Sequence, residues 1–422
     1  MRHALVAAFA AGLVCALAIP AAIAGDYGRG DDGHGFEDRG RIDQSIQLGP
    51  RPFYLVQGMD PGPLKSKLMK CMNGPFRRTN FSIAHRGAPL QFPEHTKEAY
   101  EAGARMGAGI VECDVTFTKD GQLVCRHDEC DLHTTTNIVD TPLNASCTVP
   151  WSGANSGPRC CTSDITLAQF RTLRGKMDAS VPAATTARGF LGGTAAFRTD
   201  LYNPHGTLVT LRESIALNRS LGVKHTPELK AGNAARVAQV FGSQEAYAQA
   251  MIDEFKRAHV DPRDVYAQSF NLADVIYWVS HEPAYGRQAV YLDDVDPSAG
   301  IPPLTAAELQ DIRRQGVRIF APPIPALLAV DSNDRIVASQ YAKDIKAAGL
   351  KIISWSFERA DLRNGAKGAG FYAAFDPDGR AIKKDSDMYL ELDALAQDVG
   401  VIGLFSDWPA SVSYYASCMG LD

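Results

Sequence analysis

The chain has 422 residues, 45% of them hydrophobic, which is enough to bury the core of one barrel-sized domain with additions. Its 43 basic residues against 48 acidic ones leave a net charge of −5. That balance excludes the basic face expected of a nucleic-acid-binding protein.

At the N-terminus, Arg2 and His3 precede an apolar run from Ala4 to Ile19, and Ala22-Ile23-Ala24 offers a small-x-small cleavage site before Gly25. Residues 1–24 therefore read as a signal peptide rather than an uncleaved anchor, because the run is short and rich in alanine. No other stretch is long and apolar enough to cross a bilayer, so a secreted or periplasmic protein is expected, cleaved near Ala24. Residues 25–41 carry Gly, Asp and Arg with little to bury and read as a disordered lead-in. Residues 42–80, which include Phe53, Tyr54 and Leu55, read as an N-terminal extension packed onto the main domain.

The run from Phe81 to Asp128 concentrates the chemistry. Phe81 to Ala84 reads as a buried strand, so His85 and Arg86 fall at its C-terminal end. Pro93-Glu94-His95-Thr96 comes next. Gly109 to Val115 reads as a second strand whose period of two puts Glu112 and Asp114 on one face and Cys113 on the other. Asp120-Gly121 is a two-residue hairpin signal, and a hairpin there carries His127 back beside the two carboxylates. Glu112 and Asp114 interrupt an apolar strand, where like charges repel and lose hydration unless a cation joins them.

Six further strand candidates lie beyond it: Val223–Lys230, Val265–Phe270, Gln288–Leu292, Val317–Ala321, Lys351–Phe357 and Val401–Asp407. Helical patterns lie between most of them, among them Thr96–Met106, Leu211–Leu221, Gln244–Ala258, Thr305–Gln315 and Gln340–Ala348. Eight strand-helix units indicate an α/β fold of the (β/α)8 TIM-barrel type spanning residues 81–422, with catalytic groups at the C-terminal strand ends. A doubly wound open sheet is the competing architecture. Residues 129–206 break the alternation and read as an insertion in which only Asp164–Leu173 looks helical. It is either a lid that shapes substrate choice or a structural elaboration.

Nine cysteines suit an oxidising compartment, and eight remain once Cys15 leaves with the signal. Cys130, Cys147, Cys160 and Cys161 crowd the insertion and are expected to staple it. Cys71 and Cys418 flank the domain and are candidates to tie its ends together. Cys113 and Cys125 read as buried free thiols within strands. No C-x-x-C pair points to zinc.

The motifs His85-Arg86-Gly87, Pro93-Glu94-His95-Thr96, Glu112-Cys113-Asp114 and His127-Asp128 together resemble the glycerophosphodiester phosphodiesterase family, with His95 where that family usually has Asn. Glu228-Leu229-Lys230, which puts Glu228 and Lys230 on one face, and the closing Gly403 to Pro409 extend the resemblance. Trp355-Ser356-Phe357-Glu358 departs from the family's Trp-Thr-Val-Asn.

The resemblance implies a metal site of Glu112, Asp114 and Glu228, hard oxygen donors suited to Ca2+ or Mg2+. It implies phosphate contacts from Arg86 and Lys230, support from Glu94, and His85 as base with His127 as acid. His95 is expected to support its loop rather than the chemistry. Trp355 and Trp408 pack against the glycerol backbone or are simply rim aromatics. The implied reaction is hydrolysis of glycerophosphodiesters, small-molecule substrates, to sn-glycerol 3-phosphate and an alcohol, with water or the neighbouring glycerol hydroxyl as nucleophile. Rival readings are a phosphodiesterase acting on lysophospholipids or polymeric glycerol phosphate, and a non-catalytic binding protein on the same fold.

Overall fold

A computed structural model describes residues 46–203 and 205–422. The expected signal peptide and lead-in lie outside these residues. Eleven strands are present among them: β1 (Thr79–Ala84), β2 (Ala108–Phe117), β3 (Leu123–Cys125), β4 (Lys224–Leu229), β5 (Gln268–Ser269), β6 (Val290–Leu292), β7 (Ile319–Ala321), β8 (Leu328–Val330), β9 (Ile336–Ala338), β10 (Lys351–Phe357) and β11 (Gly403–Ser406). β1 pairs in parallel with both β2 and β11, so the run β1-β2-β4-β5-β6-β7-β10-β11 closes on itself as an eight-stranded parallel barrel. The open-sheet alternative is excluded by that closure.

Strand period sorts the side chains into two compartments. Ile83, Ile110, Val290, Leu292, Ile319, Ile353 and Phe405 point inward and fill the barrel. Val111, Cys113 and Val115 point outward into the larger core beneath the surrounding helices. Counting on from Ile110 by twos reaches Glu112 and Asp114, which therefore aim into the barrel at its C-terminal mouth. The same counting brings His85 on from Ile83 and Asp407 on from Phe405.

The outer helices follow from their caps and stripes. Thr96 accepts a hydrogen bond from the Ala99 amide to start Lys97–Arg105, and Thr210 with Glu213 forms a capping box at Leu211–Leu221. Gly87 has φ +97, and a Cβ there would lie 2.6 Å from the Ala99 carbonyl carbon, so the turn after β1 packs against a helix only as glycine.

Three expectations need correction, and one element was not expected. Cys113 and Cys125 are not free thiols but a disulfide. The β2–β3 hairpin sets Cys125 opposite Val115, which makes Cys113 its diagonal neighbour on the same face. The hairpin connection is not two residues but residues 118–122, closed by the Thr118 amide on the Gln122 carbonyl. Of the helix expected over Asp164–Leu173, only Leu167–Phe170 forms, because Phe170 and Leu173 bury into the insertion's own core. The small antiparallel hairpin β8–β9 was not foreseen, its three-residue strands being too short to show a period.

The insertion has a separate apolar core of Leu132, Ile138, Ile165, Phe170, Leu173 and Phe190. Cys130–Cys161 and Cys147–Cys160 staple it, as expected. Lys176 is buried within it and donates to the carbonyls of Thr134, Met177 and Ala179 at 2.6–2.7 Å. Arg198 anchors the insertion to the turn after β1 through Nε and Nη2 on the Pro89 carbonyl. Helices Arg51–Gly58 and Pro63–Lys70 lie ahead of β1, and Phe53 and the Leu68 carbonyl meet Tyr414 on the C-terminal helix. Cys71 and Cys418 form the expected crosslink between these ends.

Candidate active site

A cavity of about 340 Å3 opens at the C-terminal mouth of the barrel, with His85, Arg86, Glu112, His127, Glu228 and Lys230 on its wall. All the strands that supply these groups end here, which is the geometry of a parallel barrel. Asp114 lies directly behind, paired in register with Glu228 on the neighbouring strand.

The carboxylates of Glu112, Asp114 and Glu228 each bring an oxygen to within 4.8 Å of the others. Each is held by further partners. Glu112 accepts from the Arg86 amide and from Gln268 Nε2, both at 2.9 Å. Glu228 accepts from Lys230 Nζ at 2.6 Å. Asp114 Oδ2 accepts from His95 Nε2 at 2.7 Å, whereas its buried Oδ1 has no hydrogen-bond partner. An orphaned carboxylate oxygen beside two more carboxylates is the donor set of a hard divalent cation, and the residues fit one.

The electrostatics agree. Burial, then the neighbouring carboxylates Asp114 and Glu228, pushes Glu112 well above the ordinary carboxylate range. Burial likewise raises Glu228 to about 7 despite Lys230. Asp114 is held low against burial by His95, Lys230 and Arg86. Three carboxylates so packed favour a cation among them over three ionised groups alone.

The two histidines sit differently. His85 Nδ1 donates to Asp407 Oδ1 at 2.6 Å, which leaves Nε2 as the acceptor, 3.3 Å from Ser356 Oγ and 3.9 Å from Glu112. Burial and then Arg86 lower its pKa to about 4 in spite of Asp407. His127 is half-buried on the cavity wall, and burial with Arg86 and Lys230 holds it well below the usual imidazole range. Arg86 is itself fixed by Glu94 at 3.1 and 3.3 Å and lies 3.6 Å from Asp114. Against burial, Arg86 and Arg126 keep Glu94 ionised.

The structure thus brings together every site residue expected from the sequence: His85, His127, Arg86, Lys230, Trp355, Glu112, Asp114 and Glu228 around the cavity, with Glu94 behind Arg86. Trp355 lines the cavity and donates Nε1 to the Ala321 carbonyl, while Trp408 packs into the main core instead. His95 does more than support its loop, since its ring sits on Asp114 and on the Tyr100 hydroxyl at 2.9 Å. Asp407 and Gln268 were legible as inward positions on their strands but carried no assigned role. Arg359 and Tyr372, which also line the cavity, come from the β10–β11 connection, where no periodicity marks them.

The sequence pattern of the glycerophosphoryl diester phosphodiesterase family matches residues 85–411 of this chain. The chain belongs to that family. Its enzyme class follows from the family and is phosphoric diester hydrolase. An extracellular protein of Arthroderma benhamiae is 42% identical over 248 residues, which are 58% of this glycerophosphodiester phosphodiesterase and all of the relative. A glycerophosphodiester phosphodiesterase of Arabidopsis thaliana is 22% identical over 353 residues, 79% of this chain and 85% of its own. A crystal structure from Silicibacter pomeroyi, assigned to the glycerophosphoryl diester phosphodiesterases, superimposes with a TM-score of 0.55 at 18% identity over 85% of this phosphodiesterase and 99% of its own chain. That likeness speaks to the barrel alone.

Proposed function

We propose that this enzyme hydrolyses glycerophosphodiesters to sn-glycerol 3-phosphate and an alcohol by general acid–base chemistry between His85 and His127. The observation that carries the reading is His85, tied to Asp407, lining one cavity together with His127, Arg86, Lys230, Glu112 and Glu228. Arg86 grips a phosphate oxygen with its planar fork, and Lys230 adds a point charge from the wall of the same cavity. His85, with Nδ1 tied to Asp407, presents bare Nε2 as the base that takes the proton of the nucleophile, water or the neighbouring glycerol hydroxyl. His127 delivers a proton to the departing alkoxide oxygen. The cations that depress His127 are opposed by the phosphodiester's own negative charge, so substrate binding moves this imidazole toward the protonated form it needs. Glu112, Asp114 and Glu228 would hold a Ca2+ or Mg2+ ion, which would stabilise charge developing at phosphorus.

Secretion belongs to the same reading. Four disulfides and an extracellular fungal relative support export, with the signal peptide removed near Ala24. A second substrate class, lysophospholipids, is favoured by one observation. Phe371 stacks on Trp355 with ring centroids 6.4 Å apart and also lines an apolar groove of about 370 Å3 with Val295, Pro297, Pro303 and Pro325. Such a groove suits an acyl chain better than a bare glycerol.

The test is release of sn-glycerol 3-phosphate from glycerophosphocholine by the purified protein with Ca2+, with Mg2+ and with chelator, beside lysophosphatidylcholine as substrate. Chelator-sensitive turnover, lost in Glu112→Gln and His85→Ala, is expected. A folded wild type that turns over only the lysolipid would move the function to the second class. Turnover of neither would refute both.

A further inference from the structure

Arg359 lies two residues beyond β10 on the barrel mouth. Its Nη1 donates to Asp407 Oδ2 at 3.0 Å, on the same carboxylate whose Oδ1 receives His85 Nδ1. Nε and Nη2 make no hydrogen bond among the described residues, and neither belongs to the buried atoms that lack a partner. The side chain is 18% exposed and lines the catalytic cavity, so these remaining N–H groups open into it. Of the other two cations of the cavity, Arg86 spends Nη1 on Glu94 and Lys230 holds Glu228, so each keeps only part of its donor set for a ligand.

A second guanidinium stands here against one unfavourable neighbour, Arg86. Arg86 and Arg359 repel each other across a largely desolvated site, and Arg359 is kept charged, against burial, chiefly by Asp407. An anion placed between the two arginines relieves that repulsion and meets Arg359's unspent donors. Tyr372 lines the same cavity and adds a polar neighbour.

We propose that Arg359 is a phosphate-binding residue of this active site. Its free N–H groups take a non-bridging phosphate oxygen on the His85 side while Nη1 keeps Asp407 in place for His85. The assignment rests on the phosphodiester reading of the cavity and deepens it. Because the group adds a full positive charge, it favours the dianionic product monoester over the monoanionic diester. Release of glycerol phosphate is therefore slowed by the same residue that helps capture substrate.

Calorimetric titration of inorganic phosphate and of sn-glycerol 3-phosphate into wild type, Arg359→Gln and Arg359→Lys tests this without needing turnover. Kinetics on glycerophosphocholine run in parallel. The expected result is affinity for both anions about 10- to 100-fold weaker in R359Q, with a smaller rise in KM and an intermediate loss in R359K, which keeps the charge but not the fork. Equal anion affinity in wild type and R359Q would overturn the proposal. So would a fall in kcat alone, because that pattern is what a purely structural prop for Asp407 gives. Melting curves check folding; should R359Q melt early, R359K decides, and unchanged phosphate affinity in it overturns the idea. A wild type that binds neither anion overturns it as well. A wild type that binds glycerol 3-phosphate yet hydrolyses nothing refutes the catalytic reading and leaves Arg359 as an anion ligand.

Discussion

The barrel and the insertion are stabilised by different means, although one chain folds both. In the barrel, a residue's place in a strand decides its destination: inward at even steps from Ile83 or Ile110, outward at odd ones. In the insertion there is almost no repeating structure, so the same cohesion comes from a small apolar cluster, two disulfides, and polar groups tied one by one to backbone, such as Lys176 on three carbonyls. The difference teaches that catalytic precision is delegated to the periodic part. No residue of the insertion lines the catalytic cavity among the described residues.

That division predicts a hierarchy of effects. The largest falls at the strand ends: His85→Ala is expected to lower kcat by about 10²–10⁴-fold, the usual span of one acid–base group, with an unchanged melting temperature. An insertion variant with an equal loss at intact stability would break the comparison. Next come paired core truncations. Phe320→Ala in the main core and Phe170→Ala in the insertion each empty a fully buried site and should cost about 3–5 kcal/mol. Hydrogen exchange should show the first loss across the whole barrel and the second only within residues 129–206.

Smaller again is the staple. Replacing Cys147 and Cys160 by Ser opens a crosslink of sequence separation 13 and should cost the insertion about 3 kcal/mol while activity on a small diester persists.

The smallest effect is in pH, and its sign differs between the regions. Burial depresses His225, on β4, from 6.5 to about 4. The unfolded chain takes up that proton first, so this stability is complete above about pH 6.5 and is lost as pH falls toward 4. Burial raises Asp131, in the insertion, from 3.8 to about 7, with Arg126 opposing. Here the folded state holds the proton, so its contribution is complete below about pH 4 and is lost as pH rises toward 7. Acidification from about pH 7 to about pH 5 should remove roughly 2 kcal/mol contributed by His225, read as wild type against His225→Phe, and strengthen the contribution of Asp131, read against Asp131→Asn. Movement of both in the same direction would contradict the assignment.

Legibility followed the same division. Eight strands, their order and the inward carboxylates could be read because burial with period two leaves a trace in the sequence. Cys113 and Cys125 were misread because alternation gives a face but not the diagonal partner, which depends on hairpin register. His95 was read as loop support because its backbone position gives no hint that its ring reaches Asp114 across nineteen residues. Arg359 and Tyr372 left no trace, since an irregular connection places side chains by tertiary contact alone.

The crosslink Cys71–Cys418 spans 347 residues and joins the chain just before β1 to the last helix. In covalent terms the stretch from Cys71 to Cys418, which holds the whole barrel, is a ring. One peptide-bond cut between those cysteines, for instance at the exposed Leu201, linearises the ring without dividing it. Both pieces stay tethered, and the barrel's hydrogen-bonded strands can remain in register around the cavity. A molecule so wired comes apart covalently at the second cut rather than the first.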